Sequence, residues 1–194
     1  EAGNGAVYYN NYLYIASDYD ISRYGPLDGT PAMVHGVWGG STLGTQTALA
    51  NTAYPSIRGA GVMPNHPMCV HQNKLYVGDY DSTSSTAANR ARGLIHYIQT
   101  TFSTTEGTGN DASTYNILDL PLGFMPTALA SYGEDLVIAG IQTTDTVTDQ
   151  GNASILFWDT TSAFYYKQVF LDEPIISALK VGNGILYVFA GSMF

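Results

Sequence analysis

The sequence predicts an all-β chain of repeated antiparallel hairpins, and three observations carry that expectation. One unit, an apolar stretch followed by an Asn- or Gly-containing turn and an aliphatic and aromatic strand ending in Ala or Gly, occurs four times in 194 residues. Asn and Gly tolerate the positive φ of tight hairpin turns, while Tyr, Val, Ile and Leu fit a pleated, half-buried surface. Helix is the weaker reading throughout.

The four copies follow in order. The first is Ala6 to Tyr9, turn Asn10-Asn11, then Tyr12 to Ala16. Met68 to His71, turn Gln72-Asn73 and Lys74 to Gly78 form the second. In the third, Thr127 to Ala130 leads through a turn around Gly133-Glu134-Asp135 into Leu136 to Gly140. The fourth runs from Ile176 to Leu179, through Gly182-Asn183-Gly184, into Ile185 to Gly191. Leu13, Leu75, Leu136 and Leu186 mark the same point in each copy, with spacings of 62, 61 and 50 residues. Because equivalent strand positions share a sheet face, the four leucines are expected to be buried alike.

A third strand is expected after each complete hairpin, over Ile21 to Tyr24, Gly93 to Ile98 and Ser154 to Trp158. Fourth strands are expected over Ala32 to Trp38, Thr114 to Leu120 and Ala163 to Leu171. Three or four consecutive antiparallel strands per unit make up a β-propeller blade. The expected organisation is a single propeller segment with blades at 5–38, 67–120, 126–171 and 175–194 and an insert at 39–65: three complete blades and the start of a fourth, part of a larger propeller. A β-sandwich or a stack of hairpins is the rival architecture.

Lys74-Leu75-Tyr76-Val77-Gly78-Asp79-Tyr80-Asp81 followed by Gly93-Leu94-Ile95-His96-Tyr97-Ile98 resembles the Leu-Tyr-Val strand and the next strand of YVTN-type or NHL-like propeller repeats. No Trp-Asp pair recurs as WD40 repeats require, Trp158-Asp159 standing alone. The Tyr-rich hairpins with polar inserts are also loosely similar to structural propellers of tailed phages. That resemblance implies a structural protein of a virion, such as a tail component.

Composition narrows the function. Only 7 Lys and Arg stand against 16 Asp and Glu, a formal charge of −9, so no basic stripe is available for phosphates, and neither nucleic acid nor an anionic membrane is an expected partner. No apolar run approaches the roughly 20 residues of a membrane-spanning helix. A single cysteine, Cys69, excludes an intrachain disulfide.

Candidate chemistry is sparse. Asp18-Tyr19-Asp20 and Asp79-Tyr80-Asp81 recur after the second strand of successive units, and Asp18, Asp20, Asp79 and Asp81 are the calcium candidates. The Asp-x-Asp-x-Asp-Gly loop with its distal Glu is missing, and carboxylates accepting turn N–H groups explain the pattern more economically, so no metal is expected. Cys69 and His71 lie two apart in one strand and share a face, compatible with a nucleophile and base but read as packing; His35, His66 and His96 lack ligand spacing. Glu106, Glu134, Glu173, Asp111, Asp135 and Asp172 are possible glycosidase carboxylates whose separation sequence does not supply. No Gly-x-Ser-x-Gly elbow and no phosphate-cradling loop appear, and no catalytic residue or cofactor is expected. Tyr24, Tyr97 and Trp158 are candidate stacking surfaces for a glycan.

The expected function is a non-enzymatic scaffold or binding module whose partners are other subunits of an extracellular or virion assembly. The alternatives are a carbohydrate-active hydrolytic propeller and an intracellular interaction propeller. Polar inserts at 39–65, 99–111 and 143–152, with a Ser/Thr-rich one at 82–92, read as solvated loops, although inserts of this kind carry binding on rigid scaffolds.

Overall fold

The computed structural model describes residues 5–16, 20–39, 66–81, 92–98, 113–114, 118, 120–121, 123–142 and 152–191. Among these the structure is all-β, with fourteen strands in four antiparallel sheets. The first sheet is β1 (Ala6–Tyr9), β2 (Tyr12–Ala16), β3 (Asp20–Gly25) and β4 (Ala32–Gly39), in that spatial order. The second is β5 (Met68–His71), β6 (Lys74–Asp81), β7 (Arg92–Ile98) and β8 (Ser113–Thr114). β9 (Phe124–Tyr132), β10 (Asp135–Gln142), β11 (Asn152–Trp158) and β12 (Lys167–Phe170) form the third, and β13 (Ile175–Gly182) with β14 (Ile185–Gly191) the fourth. Strand order follows chain order in every sheet, so each is a meander.

All four hairpins close with two residues. Asn10 and Asn11, Gln72 and Asn73, and Asn183 and Gly184 have positive φ at both turn positions, the twist that matches the flanking strands. Gly133-Glu134 has positive φ at the glycine. Asp135 and Gly182, expected in turns, belong to β10 and β13.

The leucine register holds. Leu13, Leu75, Leu136 and Leu186 each follow their turn by two residues, opposite Tyr8, Val70, Ser131 and Val181. Their burial differs from the expectation of equality: Leu75 and Leu136 are fully buried, Leu13 and Leu186 half-buried. The fully buried pair lies in the two middle sheets, which have a neighbour on each side.

Three apolar layers separate the four sheets. Tyr9, Tyr14, Ala16 and Ile21 of the first sheet pack on Met68, Leu75 and Val77 of the second. Tyr76 and Ile95, on the opposite face of the second sheet, pack with Leu129, Leu136, Leu156 and Trp158 of the third. Ala130, Val137, Ala139 and Ile155 then meet Ile176, Leu179 and Leu186 of the fourth. The alternation of each strand supplies one face to each neighbour. Glycines allow the closest approach: a Cβ on Gly93 would stand 2.5 Å from the Phe124 carbonyl oxygen and 2.7 Å from Pro126 Cδ.

The expected fourth strands differ in part from the structure. β8 is described over Ser113–Thr114, residues 115–117 and 119 of the expected strand lie outside the described residues, and Leu118 and Leu120, outside any strand, pack on the apolar layer. β12 begins at Lys167 because the preceding chain is captured by Asp159, whose carboxylate accepts the backbone N–H groups of Thr161 and Ser162 and the Ser162 hydroxyl. Of the expected inserts at 39–65, 82–92, 99–111 and 143–152, Gly39, Arg92 and Asn152 belong to β4, β7 and β11, and the rest lies outside the described residues.

Candidate functional site between the second and third sheets

The chemistry-bearing side chains that the fold brings together lie where β5 and its turn meet β9 and its turn. Alternation along β5 and β6 turns Cys69, His71 and Tyr76 toward the third sheet, and alternation along β9 and β10 turns Ser131 and Leu136 back toward the second. His71 Nδ1 is 2.8 Å from Ser131 Oγ. Beside this contact Gln72 Nε2 donates to the Glu134 carbonyl at 3.3 Å, and the Thr160 hydroxyl donates to Gln72 Oε1 at 3.3 Å. The two hairpin turns are thus tied by side chains of the shorter, polar turn residues.

Tyr76 is the centre of an aromatic cluster. His71, Tyr97 and Trp158 have ring centroids 6.1, 5.7 and 6.2 Å from it, with Trp158 edge-on at 88°. The Lys74 ammonium lies 4.4 Å from the Tyr97 centroid and covers that ring with its charge. Trp158 is 2% exposed, and its indole N–H donates to the Ser162 carbonyl at 2.8 Å.

Burial sets the protonation states. It pushes the Cys69 thiol up to about 11, partly opposed by the Ser131 backbone N–H, so the sulfur remains a thiol at neutral pH and donates to the Val70 carbonyl. It lowers the His71 imidazole, against the pull of the Glu134 carbonyl and the Asp135 and Glu134 carboxylates. The Tyr76 phenol is raised by the same desolvation. Among the described residues His71 Nε2 and the Tyr76 hydroxyl have no hydrogen bond of full geometry, and the Thr160 hydroxyl beside the phenol partly opposes the desolvation of Tyr76. A serine touching a histidine is the first half of a nucleophile and base, but among the described residues no carboxylate hydrogen-bonds to the imidazole, and His71 is 2% exposed. The arrangement holds two sheets together.

Of the three aromatic candidates, Tyr97 and Trp158 meet through Tyr76, while Tyr24 lies on the outer face of the first sheet between Leu13 and Met33. The described calcium candidates, Asp20, Asp79 and Asp81, lie in strands of two different sheets. Asp79 and Asp81 are inside β6, opposite Leu94 and Arg92, Asp20 opens β3, and Asp18 lies outside the described residues. The expectation of turns at Asp79 and Asp81 is corrected by this pairing: β6 continues to Asp81 because β7 pairs along it as far as Arg92. Among the described residues no three His, Cys, Asp or Glu side chains group as for a metal. Asp135 accepts the Tyr166 hydroxyl; Asp172 and Glu173 are exposed between β12 and β13; Glu106 and Asp111 lie outside the described residues.

Ser131 was not singled out by motif, yet it carried a signal: it is the one polar residue opposite the repeated leucine, where the other hairpins place Tyr8, Val70 and Val181. Comparison with protein-family descriptions, curated proteins and solved structures finds no match to this chain.

Proposed function

We propose that the four sheets are blades of a β-propeller and that the chain is a non-enzymatic scaffold or binding module of a larger extracellular or virion assembly. One observation carries the propeller reading: a series of hydrogen bonds joins successive sheets at their first strands. Tyr9 at the end of β1 donates to the Asn73 carbonyl beyond β5 at 3.1 Å. His71 of β5 meets Ser131 of β9, and the Thr127 hydroxyl of β9 donates to the Ile176 carbonyl of β13 at 2.6 Å. Meander sheets that touch in sequence through their first strands fit blades set around one axis, and a two-sheet sandwich has no reason to repeat that link three times.

The scaffold reading is supported by a site whose ionisable groups are spent on packing. A half-buried thiol held up at about 11 and an enclosed histidine lack the activated character of a nucleophile and base. The acidic composition, poor in lysine, and the long polar inserts fit display on an assembled particle.

An experimental structure of the chain in its native assembly tests the architecture, with the expected result that β1, β5, β9 and β13 face a common axis. Sheets stacked in two layers would overturn it. A screen with glycoside and ester substrates tests the scaffold reading; turnover that Ser131→Ala or His71→Gln abolishes in a folded protein would replace it with the hydrolytic one.

A further inference from the structure

We infer that the junction between the second and third sheets is an acid-operated latch: a proton taken up by His71 parts the two hairpin turns and uncovers Cys69 and the rings around Tyr76. The inference goes beyond the scaffold reading and is independent of the propeller, because it concerns two adjacent sheets and the contact between them. Three side-chain contacts close the junction at its turn end. His71 Nδ1 lies 2.8 Å from Ser131 Oγ, Gln72 Nε2 donates to the Glu134 carbonyl, and the Thr160 hydroxyl donates to Gln72 Oε1. The third contact comes from a strained residue. Thr160 has φ 63, a left-handed backbone that β-branched residues rarely adopt. Its own sheet holds it there through Asp159, whose carboxylate accepts the N–H groups of Thr161 and Ser162, and the second sheet holds it through Gln72. Loss of the Gln72 side favours a relaxed, open arrangement, so the junction has two states to choose between.

His71 is the trigger because the closed junction has no place for its charge. The ring is buried, and among the described residues Nε2 has no hydrogen bond of full geometry, so an added proton there would lack an acceptor. The groups that face the ring come from three elements. β5 contributes Cys69, β6 contributes Lys74 and Tyr76, and the β9–β10 hairpin contributes Ser131, Glu134 and Asp135. Cys69 and Tyr76 are uncharged at neutral and acid pH, since burial raises both. Lys74 repels an imidazolium, whereas the Glu134 and Asp135 carboxylates attract it, and desolvation outweighs that attraction while the ring stays enclosed. Glu134 is exposed at the turn. Opening therefore moves the charged ring out of the apolar layer and toward a carboxylate in water.

The sign follows from linkage. The closed state binds the proton less readily than the open state, whose His71 has the ordinary value of 6.5. As pH falls below that value the opening constant rises, by at most about tenfold for each unit of pH, until the lowered value of the closed state is reached. His66 and His96 are buried as well, but His96, opposite Val77, lies on the face toward the first sheet. Substituting His71 separates its response from theirs.

Cys69 is the single cysteine of the sequence, so thiol labelling reports on this junction alone. The labelling rate with dithiodipyridine, which also reacts with thiols in mild acid, is measured from about pH 7.5 to about pH 5 and divided by that of free cysteine in the same buffer. The expected ratio rises on acidification, by up to about tenfold per unit of pH, while the strand signal in circular dichroism is kept. His71→Gln, which has no titrating ring, should abolish the rise. Glu134→Gln keeps the ring, removes the carboxylate that receives it and should reduce the rise; it also serves as the test if His71→Gln does not fold. A flat ratio for the wild type, a rise of equal size in His71→Gln, or an undiminished rise in Glu134→Gln would overturn the latch. So would a rise that coincides with loss of the strand signal, because the thiol would then be uncovered by unfolding of the whole chain.

Discussion

The imidazole of His71 and the hydroxyl of Ser131 are 2.8 Å apart across the gap between two sheets, each carried by the first strand of its own sheet. The contact is sixty residues long in sequence and places a titratable ring where its charged form is disfavoured. Stability should therefore respond to pH at this one junction.

Burial lowers the folded-state pKa of His71 below its ordinary 6.5. The unfolded chain then binds the proton more readily, so this contribution to stability is full above the unfolded value and is lost as pH falls through it toward the folded value. The melting temperature should drop between about pH 7 and pH 5 more steeply for the wild type than for His71→Gln. Parallel melting curves for the two proteins across that range would contradict the assignment.

Leu136 is fully buried between the second and third sheets, and Leu136→Ala should cost about 2–5 kcal/mol. Leu13→Ala, at the equivalent register position on an outer face, should cost clearly less in the isolated chain. Urea midpoints for both variants measure the contrast, and equal losses would mean that the outer face of the first sheet is as enclosed as the interior.

Gly93 has no room for a methyl group. The nearest obstacles to a Cβ are the Phe124 carbonyl oxygen at 2.5 Å, Pro126 Cδ at 2.7 Å and Leu120 Cδ1 at 2.8 Å, and the first two belong to backbone or ring that cannot swing away. Gly93→Ala should cost about 1–3 kcal/mol or more through overpacking between sheets. By contrast, Gly184 meets nothing within 4 Å but has φ +74, so its alanine variant should lose only the roughly 1 kcal/mol of a left-handed backbone. Thermal melts of the two variants separate the effects.

The hairpins were readable because their information is local. Asn10-Asn11 and Gln72-Asn73 occupy turn positions whose positive φ follows from residue type and the strands on either side. The leucine register was equally readable, since it depends only on distance from the turn. What sequence did not supply was which neighbour covers each face. Trp158 read as a stacking surface, but the second sheet lies over it, and periodicity distinguishes two faces without naming what packs on them. The start of β12 was misplaced for another reason: the alternation of residues 163–171 suits a strand, and the Asp159 side chain diverts the chain before that preference acts. Cys69 and His71 were correctly placed on one face, whereas Ser131 belongs to a strand about sixty residues away that no motif links to them.

The Tyr76 hydroxyl provides the last prediction, because it separates the value of a buried ring from the cost of its polar atom. The ring is wholly enclosed and touches three other aromatic groups, while among the described residues the hydroxyl has no hydrogen bond of full geometry, the Thr160 hydroxyl being the polar group beside it. Leaving such a group unsatisfied costs about 1–3 kcal/mol, and removing it while keeping the shape is neutral or favourable. Tyr76→Phe should therefore leave stability unchanged or raise it. Tyr9 is the control: it is also buried, but its hydroxyl donates to the Asn73 carbonyl, so Tyr9→Phe should lose about 1 kcal/mol. Tyr76→Ala should be far worse than either, by about 3–5 kcal/mol for the loss of a large core side chain. Chemical denaturation of the three variants gives the order. A destabilised Tyr76→Phe would mean that the phenol is bonded in solution, and the adjoining Thr160 hydroxyl would then be the first residue to substitute in search of its partner.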